Sequence, residues 1–389
     1  MGLTTAASLS KSCVALAAIL TSFLQPSPCE ASFWGQPQDR TEFNGMVYAY
    51  GMPSFDEARY REAVTWIFGA FEMRTGKRLV PGEKRSVGIK IFTSSGEGLE
   101  TPKALVRAVI AELTSRGFRK NELFILDAGE QFMRETGYLP PLSERTGKDE
   151  FDGVPVRVLD RGTMWDKTWF YDNPLPVDYT SDVGRKMMDN PDAVKDEELR
   201  KSYLAAPLVR DVDFWINLPV IVDNPAMEIS GSLANATLWN VSNRSRFLGS
   251  PANAPVAMAE IAAIPELLGN WALTILSMER FQFVGGPIFN SNYVRSDPVL
   301  LAGSDPAVLD AWAGRRLNAY RKLTGFDLIN SPPFAVSFAR LVGVGASNSD
   351  AILWVTPTGT TLDPVLSNPD RVTERAVRVL SPPLFWPVR

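Results

Sequence analysis

One stretch limits the architecture more than any other. Val87, Ile89 and Ile91 alternate as a strand, and Thr101 and Pro102 supply an N-cap and a first helical residue. Leu105, Val106, Val109, Ile110 and Leu113 then form one apolar stripe that stops before Gly117. Leu123 to Leu126 reads as a short buried strand ending at Asp127. Strand, helix and strand within about forty residues make a βαβ unit, which builds parallel sheet through a right-handed crossover.

The alternation continues along the chain. Further strands are expected at 154–159, 212–222, 271–278 and 298–303, with helices at 55–75, 233–247 and from Asp305 onward. The fold class that follows is α/β: an open, mostly parallel sheet with helices on both faces and an elaborated insertion at about 128–205. That insertion carries an aromatic patch (Trp165, Trp169, Phe170, Tyr171) and a charge run at 192–201.

The first 31 residues have the layout of a secretory signal peptide. Lys11 ends a short leading region, Cys13 to Leu24 is apolar, and prolines and a small-residue site at Ala31 follow. The expectation is an exported, periplasmic or extracellular protein with one domain over 32–389. Cleavage leaves no transmembrane anchor, and 32–44 is a flexible lead-in. Cleavage would also remove both cysteines, Cys13 and Cys29, and with them any disulfide or iron–sulfur cluster. The chain has no histidine, which excludes histidine-ligated metals and every triad that needs an imidazole. A net charge of −4 argues against a nucleic-acid partner.

Four motifs, in order over roughly 85–340, resemble the DUF362 family, a domain of unknown function. They are V-G-I-K at 87–90 with F-I-L-D at 124–127, Asp213-x-x-Ile216-Asn217-x-Pro219, Ser230-Gly231-Ser232-Leu233-Ala234-Asn235, and Gly285-Gly286-Pro287 followed by L-A-G-S-D-P-A-V-L-D at 301–310. The chain resembles a divergent member. Val220, Val222 and Asn224 stand where the family often has Lys and His, Ala234 replaces a lysine, Ser277 an aspartate, and no ferredoxin segment is present.

In open α/β sheets ligands lie beyond the carboxyl ends of the strands. On that ground the ligand-binding candidates are Lys90, Gly96, Gly98, Asn217, Asn235, Gly286, Asp305 and Asp310, with Asp127 as the one candidate for acid–base work. Each has a plainer reading. Lys90 can pair with a neighbouring acid, 93–102 can be a simple connection, and Asp127 can form a turn. Asp305 is a natural N-cap before Pro306, and Asp310, five residues on, is free to cap a neighbouring loop. The triplets Asn235-Ala-Thr, Asn240-Val-Ser and Asn243-Arg-Ser have the glycan-acceptor pattern but read as the polar face of the 233–247 helix, with Asn235 nearest the ligand. The functional expectation is binding of a small polar or anionic molecule at the C-terminal sheet edge. A carboxylate-dependent, metal-assisted hydrolase or transferase is one alternative, and a non-catalytic envelope scaffold presenting the aromatic insertion is the other.

Overall fold

A computed structural model of the chain describes residues 32–35, 37–144, 148–173, 185, 188–190, 200–346, 352–357 and 368–370. The expected signal peptide and most of the 192–201 charge run lie outside the described residues. In chain order the strands are β1 (Met46–Gly51), β2 (Val87–Lys90), β3 (Leu123–Asp127), β4 (Glu150–Phe151), β5 (Val154–Val158), β6 (Trp165–Asp172), β7 (Lys201–Ala205) and β8 (Phe214–Asn217). They continue with β9 (Val222–Asn224), β10 (Glu228–Ser230), β11 (Trp271–Ser277), β12 (Phe281–Gln282), β13 (Val294–Arg295), β14 (Val299–Gly303) and β15 (Leu353–Val355).

Nine of them form one sheet in the order β15-β1-β14-β11-β8-β2-β3-β5-β4. Its centre, β11 to β5, is parallel throughout, and β14 and β4 run antiparallel to their neighbours. The expected strands all join this sheet except the second half of 212–222. Pro219 cannot donate to a ladder, so the chain leaves the sheet after Asn217 and re-forms as β9 in a four-stranded sheet, β10-β9-β12-β13.

The side-chain period of two places helices on both faces. Val87 and Ile89 of β2 and Phe214 and Ile216 of β8 pack into one core with α1 (Glu57–Thr75) and α2 (Lys103–Ser115). Trp215 and Trp271 turn to the opposite face, stacked at 5.0 Å, and share a second core with α4 (Asn253–Ala262) and α6 (Phe334–Leu341). The short helix α3 (Ser232–Ala236) joins that second core, and the long α5 (Pro306–Thr324) packs Leu309, Trp312 and Leu317 against Leu276 and Leu301 in a further cluster.

Three expectations change. Helix α2 begins at Lys103, with Pro102 at the N-cap, because the Thr101 hydroxyl is drawn inward to donate to the Leu218 carbonyl at 2.7 Å. The described residues of 32–44 are no loose lead-in. Trp34 is buried and donates to the Trp271 carbonyl at 3.2 Å, and Arg40 donates to the carbonyls of Leu268 and Trp271 at 2.7 and 2.8 Å. The 233–247 helix breaks into α3, a 3-10 turn at Leu238–Asn240 and a short turn at Ser245–Leu248. Of the insertion, β5 belongs to the main sheet, while β6 and β7 pair as a separate hairpin with an irregular register between Asp166 and Phe170. Its Tyr171 is buried, and Trp165, Trp169 and Phe170 are half-buried.

Candidate functional site

The carboxyl ends of β2, β3 and β8 deliver Lys90, Asp127 and Asn217 to one place, and α3 adds Asn235. All four side chains are fully buried. Lys90 Nζ donates to Asp127 Oδ1 at 2.7 Å, to Asn235 Oδ1 at 2.8 Å and to the Ile91 carbonyl at 2.7 Å. Asp127 Oδ2 accepts from the Thr93 amide and hydroxyl, both at 2.7 Å. Asn235 Nδ2 donates to Asn217 Oδ1 at 2.8 Å, and Asn217 Nδ2 donates to the Ser232 carbonyl at 2.9 Å.

Burial pulls the Lys90 amine below its ordinary value, and the Asp127 carboxylate beside it opposes that shift. An ammonium has three protons to give, and here all three are given inside the protein. The sequence-predicted residues therefore converge, but as a closed network with no exposed edge. Asp127 has both oxygens engaged and no solvent access, which leaves it no route to a substrate proton.

The other candidates divide in the same way. Asp310 accepts from the amides of Ser232 and Leu233 at 2.6 and 2.9 Å and so holds the start of α3. Gly231 makes room for it, since a Cβ there would collide with Asp310 Oδ1. Burial pushes the Asp310 carboxyl up to about 7, with the two amides pulling the other way. Asp305 caps α5 through the amides of Ala307 and Val308 and also accepts from Gly45 and Ala346. Gly286 packs directly on the Asp223 carbonyl, where no side chain fits, and donates to Asp223 Oδ2 at 3.3 Å. Gly96 and Gly98 have φ of +83° and +103°, and the Phe289 ring lies over Gly98.

Open space begins just beyond the network. A cleft of about 410 Å³ lies among Phe92, Ser94 and Ser95 after β2, Asn224 and Ser230 of the small sheet, and Trp239 and Pro287. Ser95 is buried, and its hydroxyl has no hydrogen-bond partner. No family model matches the chain. No curated protein matches it either. A crystal structure of a Thermotoga maritima protein from a structural-genomics programme overlaps 58% of this chain at 12% identity and a TM-score of 0.32. The chain spans about half of that protein, 51% of its length, and a likeness of this grade carries no argument about function.

Sequence reasoning missed the cleft's main residues. Ser95 lies in the 93–102 loop, where the glycines carry the sequence signal, and Trp239 lies among the asparagine triplets with no local pattern to mark it. Asn224 was noted only as a departure from a family pattern. A second group also went unseen: Tyr60 Oη lies 2.6 Å from Ser277 Oγ and donates to Glu279 Oε2 at 2.8 Å. Burial raises the Glu279 carboxyl, and the Tyr60 hydrogen bond lowers it. The asparagine triplets do not share a helical face. Asn235 and Asn240 are fully buried, and Asn243, at φ +43°, donates to the Lys201 carbonyl.

Proposed function

We propose that this chain is an exported, divergent relative of the DUF362 family that binds a small molecule in the cleft beside the C-terminal strand ends, recognising it rather than reacting with it. The observation that carries this reading is the Ser95 hydroxyl, buried at the cleft wall with its hydrogen-bonding capacity unspent. A buried hydroxyl without a partner costs free energy that a ligand can recover. The cleft volume lies in the ordinary range for small-molecule sites. Recognition is favoured over catalysis because no ionisable side chain lines the cleft among the described residues. Export is supported by the apolar run and small-residue site within 1–31.

Metal-assisted hydrolysis has less support. Among the described residues no group of three or more Asp, Glu, His or Cys side chains is placed to hold an ion, and Asp127 is closed off by Lys90 and Thr93. Native against denaturing mass spectrometry of the chain purified from its own host tests the proposal. The expected result is an excess native mass that disappears on denaturation and falls in Trp239→Ala. A native mass equal to the denatured one would count against it.

A further inference from the structure

The cleft's walls are unlike the rest of this sheet edge. Phe92, Trp239, Leu248 and Pro287 are among the apolar residues that line it, and the polar side chains among the lining residues are three serine hydroxyls and one amide. Two charges beside the lining residues are already paired. Arg244 lies 5.3 Å from the Trp239 ring centre and is committed to Asp160 through two hydrogen bonds at 2.9 and 3.1 Å. Asp223, next to Asn224, is paired with Arg321. A carboxylate, phosphate or ammonium entering here would shed hydration and meet no countercharge among the described lining residues.

The aromatic wall is set before any ligand arrives. Trp239 Nε1 donates to Ser230 Oγ at 3.3 Å, and its ring meets Phe92 edge-on at 6.4 Å and 67°. The polar capacity that remains is small. Ser95 Oγ is unpartnered. Asn224 Oδ1 accepts from the amides of Ala226 and Met227, while its Nδ2 has no partner among the described residues. Beyond Pro287 the rim stays apolar, with Ile288 56% and Phe289 39% exposed, and the Phe289 amide donates to the Ser95 carbonyl at 3.1 Å.

We infer that the cleft takes an uncharged, mainly apolar molecule with one hydrogen-bonding oxygen, its body against Trp239 and Phe92 and its oxygen on the Ser95 and Asn224 side. This rests on the cleft-binding reading above and narrows it, replacing the polar or anionic ligand expected from the strand ends with a neutral, mainly apolar one.

Benzyl alcohol, toluene, benzoate and benzylammonium, titrated at neutral pH into the purified chain, test it. The readout is the Trp239 indole NMR signal, identified among the ten tryptophans with Trp239→Phe. Benzyl alcohol is expected to move that signal at least tenfold more tightly than benzoate or benzylammonium, since neither ion finds a partner in the cleft. Ser95→Ala is expected to weaken benzyl alcohol several-fold and to leave toluene unchanged, the size of one hydrogen bond. Either ion acting at Trp239 as tightly as the alcohol would overturn the neutral class and leave cleft binding standing. Failure of all four probes to move the signal at saturating concentration would overturn both.

Discussion

Two polar assemblies sit side by side at the same strand ends, and they use their hydrogen bonds in opposite ways. The Lys90–Asp127–Asn217–Asn235 network has every strong group satisfied internally and no solvent contact. The cleft beside it holds weaker groups, a serine hydroxyl and an amide, and leaves the Ser95 hydroxyl unsatisfied. Titratable residues converging at a carboxyl edge are therefore not enough to mark a binding site. What marks it is capacity left over once the protein's own bonds have been counted.

The comparison predicts that variants of the network change stability while variants of the cleft change binding. The largest effect belongs to Lys90→Met, which strands the buried Asp127 carboxylate and should cost about 3–5 kcal/mol in urea unfolding. A Lys90→Met protein that unfolds like the wild type would erase the contrast. Next comes Asp310, which anchors the helix that carries Asn235. Its folded value of about 7 lies above the ordinary carboxyl value of roughly 3.9, so between these the folded chain holds a proton that the unfolded chain releases. Stability should fall as pH rises through that window and level off above it, by at most about 1.4 kcal/mol per pH unit from this group. Asp310→Asn should remove that part of the slope in melts recorded across pH 4 to 8.

Cleft variants should be gentler on the fold. Trp239→Ala should reduce retention of the native ligand by an order of magnitude, read as occupancy in native mass spectra, through loss of a stacking surface. Ser95→Ala should have the smallest effect on stability and the opposite sign. Removing an unpartnered buried hydroxyl should leave the melting temperature unchanged or raise it slightly, by the equivalent of about 1 kcal/mol at most. A clear loss of stability in Ser95→Ala would mean that the hydroxyl serves the fold.

Much of the fold was legible because its signals are local. The β2–α2–β3 unit follows from alternation at 87–91 and one stripe at 105–113, both set by residues close in sequence. The asparagine-rich stretch was misread because its apolar spacing suits a helix while its polar side chains do not. The Thr237 hydroxyl donates to the Leu233 carbonyl and Asn240 Nδ2 to the Asn235 carbonyl, local bonds that compete with the helical ladder. Val241 is also drawn into a bridge with Leu204, a pairing that spacing cannot reveal. The convergence of Lys90, Asp127, Asn217 and Asn235 could be expected from motif order and strand ends. Its closure could not, because it depends on Thr93, Ile91 and Ser232 offering bonds in three dimensions. The cleft was hidden for the same reason, since its walls come from separate loops.

The anchored N-terminal segment also has a consequence in time. Strand β1 pairs with β14, Tyr48 opposite Ala302, and with the still later β15, while Trp34 reaches across to the Trp271 carbonyl. During synthesis β1, the first described strand to emerge, must wait for β14 before it has any neighbour in the sheet. Contacts at such separation form slowly and leave strand edges open meanwhile. Chains halted before Val299 should keep residues 46–51 open to protease attack, and the segment should become resistant only when β14 has been made.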